Sequence, residues 1–222
     1  MANSTPEEQA NTYVLFVTSD TQFHGGGRRS HETATIAQKV AEKVFKDRGL
    51  PAENILNLSH HFRGLESGDR LPKVMSKLRE PRFIDKSPEF LAHLMETQGE
   101  GEMGLKFWIG FEEDLERETR IAMKAEGPDD IADRMAAAVR VFNRYGSSFL
   151  STHPKGRLVV WASTHTDGLS PLVRKHVLHK EITESPVIVA DYGGGLVIDI
   201  DPKSHTATTT IAGEQYPFPL EK

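Results

Sequence analysis

The sequence predicts an α/β fold in three layers, in which a mostly parallel sheet carries helices on both faces and a helical insertion interrupts the chain. Two short apolar runs, at residues 12–18 and 157–162, are rich in β-branched and aromatic residues, which is typical of strands buried on both faces. Helical patterns alternate with such runs, and this alternation indicates a parallel sheet covered by helices. One core can serve all 222 residues, so we expect a single domain over 1–222.

The strand at 12–18 is followed by a polar, glycine-rich segment and then by a helix. Ser30 is the expected N-cap of this helix. The apolar side chains of the helix recur on one face, at Ala37, Val40, Ala41, Val44 and Phe45. Gly49 and Pro51 end the helix, and residues 54–59 are predicted as the next strand.

The middle of the chain, from residue 60 to 127, is predicted as a helical insertion or lid. It is highly charged, with helical patterns at 71–78 and 88–95 and a segment at 106–109 that suits either a strand or a helix. The elements predicted after it are, in order, a long helix from Pro128, a strand at 157–162, a helix at 169–178, a strand at 186–190, and a hairpin of 195–201 with 205–211.

Composition excludes several classes of function. The chain has no cysteine, so it carries no disulfide, no thiolate nucleophile and no thiolate metal site. Its net charge of −5 lacks the basic bias of proteins that bind nucleic acid. No apolar stretch reaches the length of a membrane span, and the N-terminal residues lack the basic and apolar regions of a signal peptide. We therefore expect a cytoplasmic protein with no nucleic-acid or membrane partner.

A first polar cluster, residues 19–30, joins a predicted strand to a helix N-terminus, where free N–H groups and the helix dipole favour an anion. Glycines let the backbone approach a ligand, and arginines can fork onto phosphate oxygens. The residues predicted to bind here are Ser19, Gly25, Gly26, Gly27, Arg28 and Arg29. The alternative is a flexible surface loop with solvated arginines. The loop completes neither a P-loop nor an esterase motif.

A second polar cluster, residues 163–167, follows the predicted strand at 157–162. His165 leaves this strand just before a helix, so it is placed to act as a base, an acid or a hydrogen-bond donor to phosphate. The alternative is a capped turn with an incidental histidine. His31, His60 and His61 show no metal-ligand spacing, so we expect no metal site and no other cofactor.

These two clusters, in this order, resemble the histidine phosphatase superfamily, the phosphoglycerate-mutase-like proteins. Residues 29–34 resemble the family motif in which Arg-x-x-Gln/Glu-Thr-Ala opens a helix. The resemblance implies that Arg29 binds phosphate and that His165 is the second catalytic histidine, which binds the transferring phosphoryl group. Residues 194–201 are similar to the closing hairpin of some members. The implied activity is that of a phosphomonoester hydrolase or a phosphoglycerate-mutase-like enzyme.

The sequence departs from the family pattern at the nucleophile and at the general acid. It has no Arg-His-Gly, whose histidine is the family's nucleophile, and His24 is the candidate substitute. The family acid lies in the pattern Leu-x-Glu-x-x-x-Gly, and residues 62–68 fit it only with Glu66 displaced by two positions. In the other branch of the family the acid directly follows the second histidine, whereas here one residue separates His165 from Asp167.

Three hypotheses remain open. In the first, the protein binds a phosphomonoester and hydrolyses it: His165 and Arg29 hold the phosphoryl group, Arg28 adds charge, and Glu66 or Asp167 supplies a proton. In the second, it is a non-catalytic relative that binds a phosphorylated small molecule, phosphate or a protein partner. In the third, the chain is an incomplete gene product that lacks the family's central first strand. That loss would leave strand edges unpaired, and on this ground we expect a homo-oligomer.

Overall fold

The computed structural model describes residues 5–20, 29–56, 72–182, 195–201 and 203–220. Within these ranges helices and strands are mixed, with a parallel sheet and an antiparallel sheet, in agreement with the predicted α/β class. The chain divides into two compact units, residues 1–76 with 144–164 and residues 77–143 with 165–222. A single domain over the whole chain stays a prediction. In the described ranges, no helix combines the length and apolarity needed to cross a membrane.

The elements are numbered in chain order. The helices are α1 (Pro6–Ala10), α2 (Arg29–Asp47), α3 (Phe83–Lys86), α4 (Pro88–Thr97), α5 (Leu105–Glu112), α6 (Arg117–Ala122), α7 (Pro128–Thr152) and α8 (Thr166–Leu172), which continues as a π-helical turn over Val173–Val177. The strands are β1 (Thr12–Thr18), β2 (Ile55–Leu56), β3 (Lys73–Val74), β4 (Arg157–Ser163), β5 (Ile198–Asp201), β6 (Thr206–Ile211) and β7 (Glu214–Pro219).

Strand β1 is the centre of the parallel sheet in the first unit. Its seven residues pair with β4 in register from Thr12 opposite Arg157 to Thr18 opposite Ser163. Strands β2 and β3 pair in parallel with separate parts of β1, and therefore lie on its other edge. Strand β1 is buried almost throughout, as predicted, whereas β4 is mostly half-buried. Among the described residues β4 pairs only with β1, which leaves it less covered than predicted.

Helix α2 packs on one face of this sheet. Its Ala37, Ala41 and Phe45 belong to the core that also contains the side chains of Val14 and Phe16. Val40, predicted on the same face, is 57% exposed. Neighbouring helix residues are rotated by about 100° around the axis, so Val40 turns away from the sheet when Ala41 faces it.

The second unit has an aromatic core formed by its short helices. Phe83 in α3, Phe90 in α4, and Phe107 and Phe111 in α5 are each at most 2% exposed. The Phe83 ring lies 4.8 Å from that of Phe111 and 5.4 Å from that of Phe90, in tilted and edge-to-face contacts. The ambiguous segment 106–109 is therefore helical, because its aromatic side chains pack into this core.

An antiparallel sheet of the order β5-β6-β7 also belongs to the second unit. The predicted hairpin is confirmed as β5 and β6, and Asp201 accepts hydrogen bonds in its turn from the Lys203 amide and the Ser204 hydroxyl. Strand β7 was not predicted, because Pro217 and Pro219 interrupt its apolar pattern. Proline is tolerated there because β7 lies at the edge of the sheet.

Some predicted elements differ from the structure or lie outside its described part. The predicted helix at 71–78 is wrong: its described residues contain the short strand β3, paired with β1, and a 3-10 turn at Ser76–Leu78. Pairing with the edge of β1 overrides the weak helical pattern. Residues 57–59 of the second predicted strand and the strand at 186–190 lie outside the described residues.

The expected homo-oligomer stays a prediction. The reason for expecting an oligomer is that the loss of a central strand would leave the edges of neighbouring strands unpaired. On β1 that condition is not met, because β4 covers one edge along seven residues and β2 and β3 cover parts of the other.

Candidate functional site

The two polar clusters begin next to each other at the carboxyl edge of the parallel sheet. Because β1 and β4 are parallel and in register, Ser19 and Thr164 both follow their strands at this edge. The Ser19 amide donates a hydrogen bond of 3.1 Å to the Ser163 carbonyl, which ties the two strand ends together. Both serines are buried. The order of strands therefore places the first residues of the two clusters, Ser19 and Ser163, at one edge of the sheet.

The predicted anion-binding loop is described only at its two ends. Ser19 lies directly after β1, and Arg29 is the exposed first residue of α2. The remaining candidates of this loop, His24, Gly25, Gly26, Gly27 and Arg28, lie outside the described residues, and so does Glu66. Arg29 belongs to the first unit and His165 to the second.

His165 contacts the carboxylate of Glu80 through one of its ring nitrogens. It is the N-cap residue of α8, in an extended backbone conformation, two residues after the end of β4. Its Nδ1 lies 2.9 Å from Oε1 of Glu80, and the two side chains are 15% and 9% exposed. A carboxylate that contacts one ring nitrogen fixes the orientation of the imidazole and its tautomer.

Arg134 in α7 holds the segment that carries Glu80. Its guanidinium donates to the main-chain carbonyls of Lys77, Arg79 and Glu80 at 2.8, 2.9 and 3.3 Å. Its Nε and Nη2 also donate to the two carboxylate oxygens of Glu126, at 2.8 and 3.1 Å. These five bonds use all five N–H groups of the arginine.

Asp167, in the first turn of α8, is half-buried, with its Oδ2 shielded from solvent. Burial raises the pKa of its carboxyl from 3.8 to about 7, since a charged carboxylate is costly away from water. The charge of His165 lowers this pKa, the carboxylate of Glu80 raises it, and Arg134 lowers it. Oδ2 of Asp167 has no hydrogen-bond partner among the described residues. At neutral pH this side chain therefore exists in both protonation states.

A second buried carboxyl, that of Glu112 at the end of α5, is electrostatically linked to Asp167. Burial raises the pKa of Glu112 to about 7, the charge of Arg174 lowers it, and Asp167 and Asp129 raise it. Arg174 is 1% exposed and donates to Asp129 at 2.6 Å and to the Lys180 carbonyl at 3.2 Å. The second unit thus contains two buried acids that titrate near neutral pH.

Two residues of this site, Glu80 and Arg134, were missed by the sequence analysis. Leu78-Arg79-Glu80 fits the Leu-x-Glu start of the family pattern, but Ile84 stands where the pattern has glycine. That partial fit could have made Glu80 a candidate for the family acid, in addition to Glu66. Nothing in the local sequence identifies Arg134, because its partners lie more than fifty residues before it, apart from Glu126.

Comparison of the chain with protein-family models, with curated proteins and with solved structures finds no match. Among the described residues, no group of histidine, aspartate and glutamate side chains is arranged to hold a metal ion. The geometry around His165 is therefore the observation that bears on function.

Proposed function

We propose that this protein binds a phosphomonoester through His165, as a histidine-phosphatase-like α/β protein. The observation that carries the proposal is the contact of 2.9 Å between His165 Nδ1 and the Glu80 carboxylate, in which His165 follows β4 in the chain by two residues. With Nδ1 donating to a carboxylate, Nε2 is the ring nitrogen left for the ligand, and in the doubly protonated imidazolium it would donate to a phosphoryl oxygen. In α/β proteins, residues that follow the carboxyl ends of parallel strands commonly bind ligands.

A buried acid with a pKa near 7 supports hydrolysis of the ester. When the bond between phosphorus and the ester oxygen breaks, that oxygen needs a proton, and Asp167 can supply it because its carboxyl is partly protonated at neutral pH. Glu66 is the alternative donor. The phosphoryl group would pass first to a nucleophile, for which His24 is the candidate, and then to water.

The wider features of the family resemblance belong to the same proposal. Helix α2 contacts the face of the sheet that carries Val14 and Phe16, and Phe149 of α7 packs 4.9 Å from the ring of Tyr13 on β1. Alternate residues of a strand face opposite sides. These contacts support the three-layer arrangement with helices on both faces. Arg29 at the start of α2 is proposed to bind phosphate, and its own variant, Arg29→Lys, tests this.

A second candidate function is binding of a phosphorylated ligand without turnover. In the family that the sequence resembles, the strand with the nucleophilic histidine is central in the sheet. Here β1 and β4 pair directly along seven residues, so no strand with such a histidine lies between them. Because a nucleophile on a central strand is missing at this place, the pairing favours the non-catalytic alternative over hydrolysis.

Hydrolysis of p-nitrophenyl phosphate tests the proposal and separates the two candidates. We expect His165→Ala to lower turnover by about a hundredfold or more, because it removes a group that contacts the phosphoryl oxygens. His24→Ala should have a comparable effect if His24 is the nucleophile. The control is His153→Ala, which removes a histidine stacked 4.2 Å from Phe149 in the first unit.

Thermal unfolding with and without inorganic phosphate gives the second readout. Binding to the folded state raises the melting temperature. Phosphate stabilisation that disappears in His165→Ala, without turnover in the wild type, would support the non-catalytic alternative and exclude hydrolysis. A wild-type protein with neither turnover nor phosphate stabilisation would overturn both candidates.

A further inference from the structure

The main chain around Glu80 is held by side chains rather than by a helix or strand. Residues 79–82 lie between the 3-10 turn at Ser76–Leu78 and helix α3, in neither a helix nor a strand. Arg134 donates to the carbonyls of Lys77, Arg79 and Glu80. At the C-terminal end of this segment, the Arg82 amide donates to Glu126 Oε2 at 2.7 Å.

Arg134 and Glu126 form an ion pair that holds this segment, and we call this pair the clamp. The pair is 2.8 Å apart and its side chains are 7% and 10% exposed. The same Glu126 oxygen that accepts from Arg82 also accepts from Arg134 Nη2. A guanidinium presents its donors in a rigid plane, so three carbonyls and a carboxylate bound to it have fixed relative positions.

We infer that Arg134 is a positioning residue, which places the Glu80 carboxylate against Nδ1 of His165 by fixing the backbone of residues 77–80. The inference concerns the Glu80–His165 contact, and only its consequence for ligand binding rests on the proposed function. Arg134 itself does not touch the phosphate. Its role differs from simple stabilisation because its bonds converge on the carbonyls at and before Glu80.

The experiment observes the Nδ1 proton of His165 by NMR in the full-length protein. A ring N–H that donates to a carboxylate forms a charge-assisted hydrogen bond, which gives a low-field proton resonance protected from exchange. The His165→Ala variant assigns this resonance by its absence. The test variant is Arg134→Lys, which keeps the positive charge and loses the planar set of donors.

The matched control is Arg120→Lys in the same unit. Arg120 makes a comparable bidentate pair with Asp114, at 2.6 and 2.7 Å, and donates to the Ala125 carbonyl. We expect the His165 resonance to persist in the control and to be lost or strongly shifted in Arg134→Lys. Phosphate affinity should fall by about tenfold or more in Arg134→Lys, the usual effect of removing a supporting contact.

A second variant, Glu126→Gln, keeps the shape of the clamp and weakens its charge. If Arg134→Lys does not fold, Glu126→Gln decides the question, with the same expected change in the resonance. A wild-type resonance that is unchanged in the folded test variants, or absent from the wild type, overturns the inference. A lost resonance in a protein that never binds phosphate would leave the positioning role intact and overturn the proposed function.

Discussion

Replacing Asp167 with Asn is expected to raise the free energy of unfolding at pH 8 and to leave it much less changed at pH 5. The carboxyl of Asp167 is shielded from solvent at Oδ2, and burial raises its pKa from 3.8 to about 7. Its ionised form is therefore destabilising in the folded protein. Asn is neutral at every pH and has nearly the same shape, so it removes this cost where the wild-type side chain is ionised.

The direction of this pH dependence follows from the number of protons that the folded and the unfolded states bind. Between pH 4 and 7 the folded state keeps the Asp167 proton that the unfolded state has lost, so the stability of the wild type falls as the pH rises. The shift from 3.8 to about 7 corresponds to a full cost on the order of 4 kcal/mol. About 3 kcal/mol of this cost should develop between pH 5 and pH 8. Removing the Asp167 charge also lowers the pKa of Glu112, which acts in the same direction.

Urea unfolding at pH 5 and pH 8 measures this effect, with Asp201→Asn as the control. Asp201 lies in the exposed β5–β6 turn, and hydrogen bonds from Ser204 and from the Lys203 amide lower the pKa of its carboxyl. Its replacement removes the same charge but should give no gain at pH 8. The interpretation of the Asp167 environment is wrong if Asp167→Asn keeps the wild-type dependence of stability on pH.

Phe83→Ala is expected to destabilise the protein by about 3 to 5 kcal/mol, the usual cost of removing a buried phenyl ring and leaving a cavity. Phe83 is 0% exposed and contacts the rings of Phe90, Phe107 and Phe111. It lies three residues after Glu80, so this core also supports the chain next to the site. Equilibrium unfolding in urea at pH 6 measures the loss.

Phe149→Ala is the matched control for this measurement. Phe149 is only half-buried and contacts Tyr13 and Tyr145 beside the parallel sheet. Its removal should therefore cost less than the removal of Phe83. Equal losses, or a loss below about 1 kcal/mol for Phe83→Ala, would contradict the assignment of the aromatic cluster as the core of the second unit.

The parts of the fold that could be predicted are those encoded by local patterns. The β-branched run at β1 and the apolar run at β4 identify parallel strands by themselves, and Pro128 with the apolar periodicity after it identifies α7. Strands β3 and β7 were missed because pairing with another strand, rather than their own residues, defines them. The same distinction, between features encoded locally and features that depend on distant contacts, applies to the residues of the site.

His165 and Asp167 could be predicted because they directly follow a recognisable strand. Glu80 becomes a site residue only through its contact with His165, which the chain order does not reveal. Arg134 lies on the buried face of an otherwise ordinary helix, where a charged side chain is unexpected. The sequence contains no local sign that its guanidinium binds the carbonyls before Glu80.

The central claim, that His165 binds a phosphoryl group, is tested most directly by a crystal structure of the protein with orthovanadate, which resembles phosphate in charge and shape. We predict a vanadate ion with one oxygen within hydrogen-bond distance of His165 Nε2 while Nδ1 remains on Glu80. The same crystals of His165→Ala should lack the ion. Vanadate bound elsewhere, or no bound vanadate at all in the wild-type crystals, would contradict the account.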